Sequence, residues 1–159
     1  MTSTLISPHG KSLIDCYCKK EEVPNYKNQA THYNSHTLSD RQLCDLELIL
    51  NGAFSPLDGF MCEKDYLTVL KNNRLFSGEL FGLPVVFDSD RSDLEKGEEI
   101  FLKYKNKPIA ILTIEDIWEP NKVLEANHCY GTTSLEHPAV KMISTERGKF
   151  YIGGKIKGL

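Results

Sequence analysis

The sequence is short of the features that mark secreted and membrane proteins. It has five cysteines among 159 residues, an odd number at irregular spacing, which makes a poor disulfide framework and favours thiols in a reducing compartment. The first six residues contain neither a basic nor an apolar segment of the kind found in secretory signals. No apolar run approaches the length that spans a bilayer. We therefore expect a soluble, cytoplasmic protein with reduced thiols at Cys16, Cys18, Cys44, Cys62 and Cys129.

An excess of basic residues is also missing. The 19 lysines and arginines stand against 22 aspartates and glutamates, which gives a net charge of −3. Proteins dedicated to nucleic acids usually carry a basic excess, because their affinity comes largely from neutralising phosphates. The balance argues against RNA or DNA as the main partner. The length and an ordinary composition, 40% hydrophobic and 26% charged, indicate one globular domain.

The strongest local pattern predicts a helix that begins at Ser39. Ser39 and Gln42 have the spacing of a capping box, in which each side chain bonds the backbone N–H of the other residue. Asn51-Gly52 predicts the end of this helix, because a left-handed residue after a helix is most easily a glycine. The apolar face at helical spacing consists of Leu43, Leu46, Ile49 and Leu50.

The rest of the chain predicts helices early and mostly antiparallel strands late. Residues 1–37 are polar and rich in turn formers, and we expect an extended arm packed on the domain. Lys105-Asn106-Lys107 predicts a hairpin turn between two strands. The order indicates an α+β domain whose sheet curls into a small β-barrel. The other predicted elements are a helix at 63–71 with Tyr66, Leu67, Val69 and Leu70 inward, short helices at 120–129 and 137–144, and strands at 83–87, 99–104, 108–118 and 149–156.

Five segments, in order across nearly the whole chain, resemble one family, the sulfate adenylyltransferases or ATP sulfurylases. The most specific is LSDRQLCDLELILNGAFSPLDGFM at 38–61, and AILTIEDIWEP at 110–120 supports it. The resemblance implies a PUA-like fold with short flanking helices, in which residues 1–159 form a single N-terminal domain and the catalytic domain is absent. The three shorter segments are Pro8-His9-Gly10, His137-Pro138 and Tyr151-Ile152-Gly153-Gly154.

Two residues depart from the family pattern. Lys11 stands where a second glycine usually follows Pro-His-Gly, and Ala53 replaces the second glycine of an Asn-Gly-Gly-Phe segment. Alanine does not adopt a positive φ cheaply. We therefore expect either ordinary φ at this glycine position or a slightly reshaped loop.

The family enzyme joins sulfate to the α-phosphate of ATP and releases pyrophosphate. Such a displacement depends on positioning and on spreading negative charge onto cations and N–H donors. The resemblance implies that these groups lie in the second domain, in a Gln-x-Arg-Asn-Pro-type segment, a pair of histidines and a Gly-Arg-Asp-His segment. This sequence contains none of the three. We therefore expect no catalytic, cofactor-binding or metal-binding residue and no cofactor in this chain.

Two short motifs suggest a phosphate-binding site and a metal site. Gly153-Gly154-Lys155 looks like part of a phosphate loop, although a bulge or bend in a strand is the favoured interpretation. Cys16-x-Cys18 with His9 or His32 suggests a metal site, but zinc ligands usually come as two spaced pairs, so ordinary thiols are favoured. We interpret Cys44 as a small core residue.

Two pairs of neighbouring carboxylates suggest acid–base chemistry. Asp45 and Glu47 lie two apart on a helix, and Glu115 and Asp116 are adjacent at a strand end, so each pair diverges. Capping, a salt bridge or solvation is the favoured role. For Arg41 we expect an interaction with Asp45 one turn on, or a pairing at a domain interface.

Two surfaces remain as interaction candidates. An apolar turn after the first helix is interpreted either as core or as a docking surface for a catalytic domain. A set of lysines is interpreted as a solvated face, with RNA binding as the alternative. The turn comprises Phe54, Pro56, Leu57, Phe60 and Met61, and the lysines are Lys103, Lys105, Lys107, Lys149, Lys155 and Lys157.

The favoured function is that of the N-terminal scaffolding domain of a sulfate adenylyltransferase, inactive by itself. It would pack on the catalytic domain in cis or in trans, and it allows a homo-oligomer. The alternatives are a free-standing PUA-like module that binds RNA or protein, and an accessory subunit of a separately encoded catalytic chain.

Overall fold

The computed structural model describes residues 5–30 and 34–159 of the chain. Helices and strands alternate irregularly, as expected for an α+β protein, and the α+β prediction is confirmed. The helices are α1 (Val23–Gln29), α2 (Asp40–Leu50), α3 (Glu63–Asn72), α4 (Lys122–Tyr130) and α5 (Pro138–Thr145). The strands are β1 (Ser35–Thr37), β2 (Gly59–Phe60), β3 (Phe87–Ser89), β4 (Glu99–Tyr104), β5 (Lys107–Trp118) and β6 (Phe150–Gly158).

Within the described residues the strands form a six-stranded mixed sheet. The hydrogen-bonded order is β1-β4-β5-β6-β2, and β3 also pairs with β6. β4 pairs antiparallel with β5, and β3 pairs antiparallel with β6, as expected for most of the sheet. β1 is an exception, because it runs parallel to β4.

The chain divides into two compact units. Unit 1 comprises Met1–Gly59, Glu99–Thr113 and Lys155–Leu159, and unit 2 comprises Phe60–Glu98 and Ile114–Gly154. Each has buried side chains of its own. In unit 1, α2 buries its apolar face, and Phe101 and Ile111 form a cluster with Ala30.

Helix α2 is the element that the sequence predicted most closely. The Ser39 hydroxyl accepts the N–H of Gln42 at 3.2 Å, and the Gln42 side chain accepts the N–H of Ser39 at 3.1 Å, which completes the capping box. The helix ends at Asn51-Gly52, with Gly52 at φ +78°. One prediction on this helix was wrong: Cys44 is exposed, because it lies off the stripe that Leu46, Ile49 and Leu50 bury.

In unit 2 the packing is more aromatic. Helix α3 buries Tyr66, Val69 and Leu70 as predicted, but Leu67 is exposed, which corrects its inward assignment. The ring of Tyr66 lies 5.5 Å from that of Trp118 and 5.7 Å from that of Tyr151. These ring spacings lie in the range of favourable aromatic pairs.

The polar N-terminal segment has more secondary structure than the sequence predicted. It contains α1 and β1 in place of an irregular arm. Helix α1 buries none of its residues, so the sequence contains no periodic apolar face that would predict it. Pro24 lies in its first turn, where the backbone N–H has no partner within the helix and its absence does not weaken the helix. The predicted strand at 83–87 was also misplaced. Val85 and Val86 are buried outside a strand, and β3 begins only at Phe87.

The β4–β5 hairpin turn was predicted correctly. Its position shows that the three lysines around it do not share one face of a strand. Lys105 and Asn106 form the turn with φ of +47° and +63°. Lys107 already lies on β5, opposite Tyr104, and a bulge interrupts the register at Lys103. Lys103, Lys105 and Lys107 therefore do not alternate along one strand, which was the geometric basis of the RNA alternative.

The two departures from the family pattern have different outcomes. Ala53 is not among the residues with positive φ, so alanine is accommodated there without strain. Lys11, in contrast, has φ +76° and follows Gly10 at φ +72°. A lysine in this conformation is strained by about 1–2 kcal/mol.

Candidate functional site

A cluster of hydrogen-bonded polar side chains is buried around Glu125 in unit 2. Arg147 Nη1 donates to Glu125 Oε1 at 2.7 Å, and the hydroxyls of Tyr66 and Tyr151 both donate to Oε2, at 3.0 and 2.9 Å. Arg147 Nη1 also donates to the Tyr151 hydroxyl at 2.9 Å. The side chains of Glu125 and Arg147 are only 2% and 9% exposed. The charged pair is therefore enclosed by its own partners.

Four different elements bring these groups together. Tyr66 lies on α3, Glu125 on α4, Tyr151 on β6, and Arg147 in the segment between α5 and β6. Asn121 fixes the start of α4, because its side chain accepts the N–H of Leu124 at 3.0 Å. Asp88 on β3 accepts the N–H of Gly148, at 2.8 Å, and so holds the backbone just after Arg147.

The pKa directions agree with this geometry. Burial raises the pKa of Tyr66 and of Tyr151 above the ordinary tyrosine value, and the Glu125 carboxylate raises both further, although Arg147 lowers that of Tyr151 in part. Burial opposes the charge on Arg147, but Tyr151 and Glu125 outweigh it and raise the pKa of that guanidinium. These directions favour neutral hydroxyls on Tyr66 and Tyr151 and a charged guanidinium on Arg147.

The Glu125 carboxylate is fully engaged, although Arg147 Nε is buried without a hydrogen-bond partner among the described residues. Both oxygens of Glu125 are occupied by donors, and an acid–base residue needs an oxygen that reaches a substrate. A buried ion pair of this kind tolerates the loss of one partner poorly, because the other charge is then left uncompensated. The cluster therefore fixes the relative positions of α3, α4 and β6 within unit 2.

An open cleft of about 450 Å³ in the same unit is lined by side chains of both charges, which make hydrogen bonds or ion pairs within the unit. Lys122 Nζ donates to the backbone oxygen of Arg147 at 2.6 Å, and Lys149 Nζ lies 3.7 Å from Glu119. Asp90 accepts the N–H of Lys149 at 2.8 Å. The cleft is therefore of mixed charge and offers no concentrated positive site for an anion.

The acidic pair at Glu115 and Asp116 diverges as predicted. Asp116 accepts the N–H of Glu63, the first residue of α3, at 3.0 Å, and forms a 2.6 Å ion pair with Lys96. Burial alone would raise the pKa of Asp116, but Lys96 and the backbone N–H outweigh it and lower that pKa. Glu115 instead faces Cys62, whose pKa rises to about 11 through burial and the nearby carboxylates. The favoured role, capping and a salt bridge, is confirmed for Asp116.

The other residues singled out from the sequence have structural positions. Gly153-Gly154-Lys155 lies inside β6, not in a loop. A Cβ on Gly153 would come within 2.5 Å of the Met61 backbone oxygen, so a close backbone approach requires this glycine. Arg41 pairs with Asp45 at 3.3 Å, as predicted.

The Cys-x-Cys motif belongs to a short β-bridge in unit 1. Gly158 N donates to Cys16 O at 2.8 Å, and Cys18 N donates to Gly158 O at 2.9 Å. The described ranges hold no group of three residues placed to bind a metal ion. His32, one of the ligands considered, lies outside the described residues.

The apolar turn after α2 divides between burial and partial exposure. Leu57, Phe60 and Met61 are buried, which supports the core interpretation for these three. Phe54 and Pro56 are half-buried. The lysines of β6 are engaged individually, since Lys155 lies 3.5 Å from Asp58 and Lys157 donates to the Tyr26 hydroxyl at 3.0 Å.

Sequence reasoning missed Glu125 and Arg147. They are 22 residues apart and carry no motif, so no local spacing connects them. The one available signal was Glu125 on a short helix between the apolar residues Leu124 and Ala126, where a carboxylate is uncommon unless it is paired.

Comparison with known proteins identifies the family to which the chain belongs. A model described as a PUA-like domain matches residues 6–159. The chain belongs to the PUA-like domain family. This PUA-like chain is 42% identical over 163 residues to a sulfate adenylyltransferase of Chaetomium globosum, and 41% identical over 162 residues to one of Phaeosphaeria nodorum, in each case over 96% of this chain. It is 43% identical over 139 residues, 84% of this chain, to the Schizosaccharomyces pombe protein of the same name.

These matches place the PUA-like chain against the N-terminal portion of the sulfate adenylyltransferases, as the sequence segments predicted. The chain spans 28% of the length of each of these relatives. A solved structure, the hexameric APS kinase from Thiobacillus denitrificans, is similar over 97% of this chain and 27% of its own, with a TM-score of 0.73 and 26% identity. Among the described residues, no helix is both long and apolar enough to cross a membrane.

Proposed function

We propose that this PUA-like chain is the N-terminal scaffolding domain of a sulfate adenylyltransferase and performs none of the chemistry itself. The observation that carries the proposal is the extent of the match: identity of 41–42% over 96% of this chain falls on only 28% of the relatives. The chemistry of adenosine 5′-phosphosulfate formation is then the task of the remaining part of such an enzyme, and the site of action is the cytoplasm.

The buried groups of unit 2 support a structural role. The Glu125 carboxylate accepts from Arg147 and from two tyrosines, and Arg147 Nη1 donates to Glu125 and to Tyr151. An oxyanion in a transition state needs donors aimed at an open position. Arg147 is 9% exposed, so its guanidinium does not present its donors to solvent. In unit 2 these charged groups therefore hold the helices in position, which is the role expected in a scaffolding domain.

The test begins with the purified 159-residue chain and an assay of sulfate-dependent pyrophosphate release from ATP. No turnover is expected. The chain is then co-expressed with the part of the Schizosaccharomyces pombe sulfate adenylyltransferase that it does not match, and the two are expected to co-purify and to release pyrophosphate. Turnover by the chain alone would overturn the non-catalytic assignment.

Two further outcomes separate the alternatives. An accessory subunit would also restore activity when the two parts are separate polypeptides. The reading frame of the natural gene distinguishes the two cases, because only a domain is encoded together with the catalytic part. A mobility-shift experiment with single- and double-stranded RNA at moderate salt is expected to show no complex. Tight, salt-sensitive binding would instead favour an RNA-binding module.

A further inference from the structure

Helices α3 and α4 leave an open apolar groove on the surface of unit 2. It has a volume of about 350 Å³, and its lining consists of Leu67, Leu70, Lys71, Leu124 and His128. Leu67 and Leu124 are 47% and 40% exposed, although Leu70 beneath them is buried. Leu67 on α3 and Leu124 on α4 therefore lie on opposite sides of a groove that is open to solvent.

Another exposed apolar side chain of unit 2 packs against Lys64 in the first turn of α3. Phe76, just after this helix, is 61% exposed, and Lys64 Nζ lies 3.2 Å from the centre of its ring. Lys64, Leu67 and Lys71 are spaced i, i+3 and i+7, so they share one face of the helix. We call the surface formed by Phe76, Leu67 and Leu124, with Lys64, Lys71 and His128 around it, the α3–α4 patch.

The rim of the α3–α4 patch is basic, in a chain whose net charge is −3. Its three rim residues are lysines or histidine, and none of the groove-lining residues is acidic. Two carboxylates, Glu63 and Asp65, flank Lys64 in the sequence; neither lines the groove, and Asp65 already accepts the N–H of Phe76 at 2.8 Å. The complementary surface is therefore an apolar side-chain ridge flanked by carboxylates.

We propose that the α3–α4 patch is the surface on which the rest of a sulfate adenylyltransferase packs, through an apolar segment flanked by carboxylates. This inference rests on the proposed function. Nearly three quarters of the length of each matched relative lies beyond the part that this chain matches, so a large partner surface is available. Contiguous exposed apolar surface of this kind marks interaction sites in soluble proteins.

A second copy of this chain is a poorer occupant. A two-fold contact presents the same patch on both copies, so Lys64 and Lys71 of one copy would face a surface that is basic as well. Like charges across an interface oppose association. The charge on the rim therefore favours a different, acidic surface as the partner.

The experiment uses the chain co-expressed with the unmatched part of the Schizosaccharomyces pombe relative, as above. Leu67→Glu and Leu124→Glu, introduced separately, are expected to weaken the complex about tenfold or more, measured by light scattering on dilution, because each places a carboxylate in the apolar centre. Lys71→Glu is expected to weaken it less and to reduce its salt dependence. The matched control is Leu135→Glu, which alters a leucine of unit 2 that is 56% exposed and does not line the groove.

The outcomes distinguish the two proposals. If the unaltered chain does not bind the relative's remaining part, the proposed function fails. If it binds, and Leu67→Glu and Leu124→Glu bind as tightly as Leu135→Glu, only the α3–α4 patch is excluded as the interface. A dimer of this chain that Leu67→Glu dissociates would overturn the inference in favour of a second copy. Unchanged fluorescence of Trp118, the single tryptophan, verifies that each variant of unit 2 is folded.

Discussion

The two compact units bury different kinds of side chain. In unit 1 the polar side chains that are buried, Gln42 and Ser55, are uncharged and bond to nearby backbone groups. In unit 2 the carboxylates of Asp88 and Glu125 are buried, and Arg147 with them. Unit 1 therefore depends on apolar packing and local capping, whereas unit 2 also depends on completing a charged hydrogen-bond network.

The largest effect is expected from Glu125→Leu, which leaves Arg147 buried without its carboxylate. We expect a loss of about 3–5 kcal/mol in the free energy of unfolding, because an uncompensated buried charge is costly. Urea unfolding followed by the fluorescence of Trp118, which packs against Tyr66 and Tyr151, measures it.

The double variant Glu125→Leu/Arg147→Met is the control for this charge effect. It is expected to be more stable than Glu125→Leu alone, because no charge is then left buried. If the loss in free energy of unfolding of the double variant equals the sum of the losses of the two single variants, the network stabilises unit 2 through packing. The contrast between the two units would then not hold.

In unit 1 the corresponding prediction concerns Leu46, which is fully buried on α2. Leu46→Ala is expected to cost about 2–5 kcal/mol through lost burial and the cavity left behind. Leu48, which is exposed on the same helix, supplies the matched control, and Leu48→Ala is expected to cost well under about 1 kcal/mol. Similar losses for the two variants would mean that α2 does not pack as described.

A third prediction concerns pH and unit 2. The pKa of Asp116 is lowered in the fold, so its ion pair with Lys96 and its bond to α3 contribute stability that is present above the ordinary aspartate pKa of about 4. That contribution is lost as the pH falls through this value and below it. Asp116→Asn is therefore expected to lower the urea midpoint at pH 7, and to reduce the fall in stability between about pH 5 and pH 2.

The two chains are compared at pH 7, 4 and 2. Arg91 also lowers the pKa of Asp93, but the Asp93 side chain is 64% exposed, so Asp93→Asn is expected to show the same trend with a smaller amplitude. A constant difference between Asp116→Asn and the unaltered chain at all three values would contradict this account.

A smaller effect is expected at the start of α2 in unit 1. Ser39→Ala removes the side-chain oxygen that accepts the N–H of Gln42 and is expected to cost about 1 kcal/mol. Ser39→Asp keeps an acceptor and is expected to restore most of the loss. Equal destabilisation by both variants in urea unfolding would show that the capping bond does not stabilise the helix.

The smallest effect is a gain. Lys11→Gly relieves a positive φ and is expected to stabilise the protein by roughly 0.5–1 kcal/mol, since the relief exceeds the entropy that a glycine loses on folding. Lys11→Ala keeps the strain while removing the long side chain, and separates the two causes. A destabilised Lys11→Gly variant would mean that the lysine side chain makes a contribution larger than the strain.

The sequence predicted best the features that depend on neighbouring residues, and particular residues of unit 1 show why. Ser39, Gln42 and Gly52 act on neighbours in the chain, so α2 was found with both of its ends. Lys105-Asn106 likewise forms a turn within four residues. Leu67 was assigned to the core because α3 is apolar over more than one face, and only the position of α4 decides which face is covered.

The family assignment also came from contiguous segments. The stretch at 38–61 carried most of the resemblance, and the family model covers residues 6–159. The same reasoning gave no account of Glu125, whose partners lie 22, 26 and 59 residues away along the chain.

By itself, then, the amino-acid sequence determined the caps, the hairpin turn, most helix and strand positions, and membership of a family, because each depends on residues close together in the chain. Tertiary structure alone decided the pairing of Glu125 with Arg147, the close approach of Gly153 to Met61, and the exposure of Leu67 beside Leu124. These depend on distances through space, which side-chain packing sets and the order of residues does not reveal.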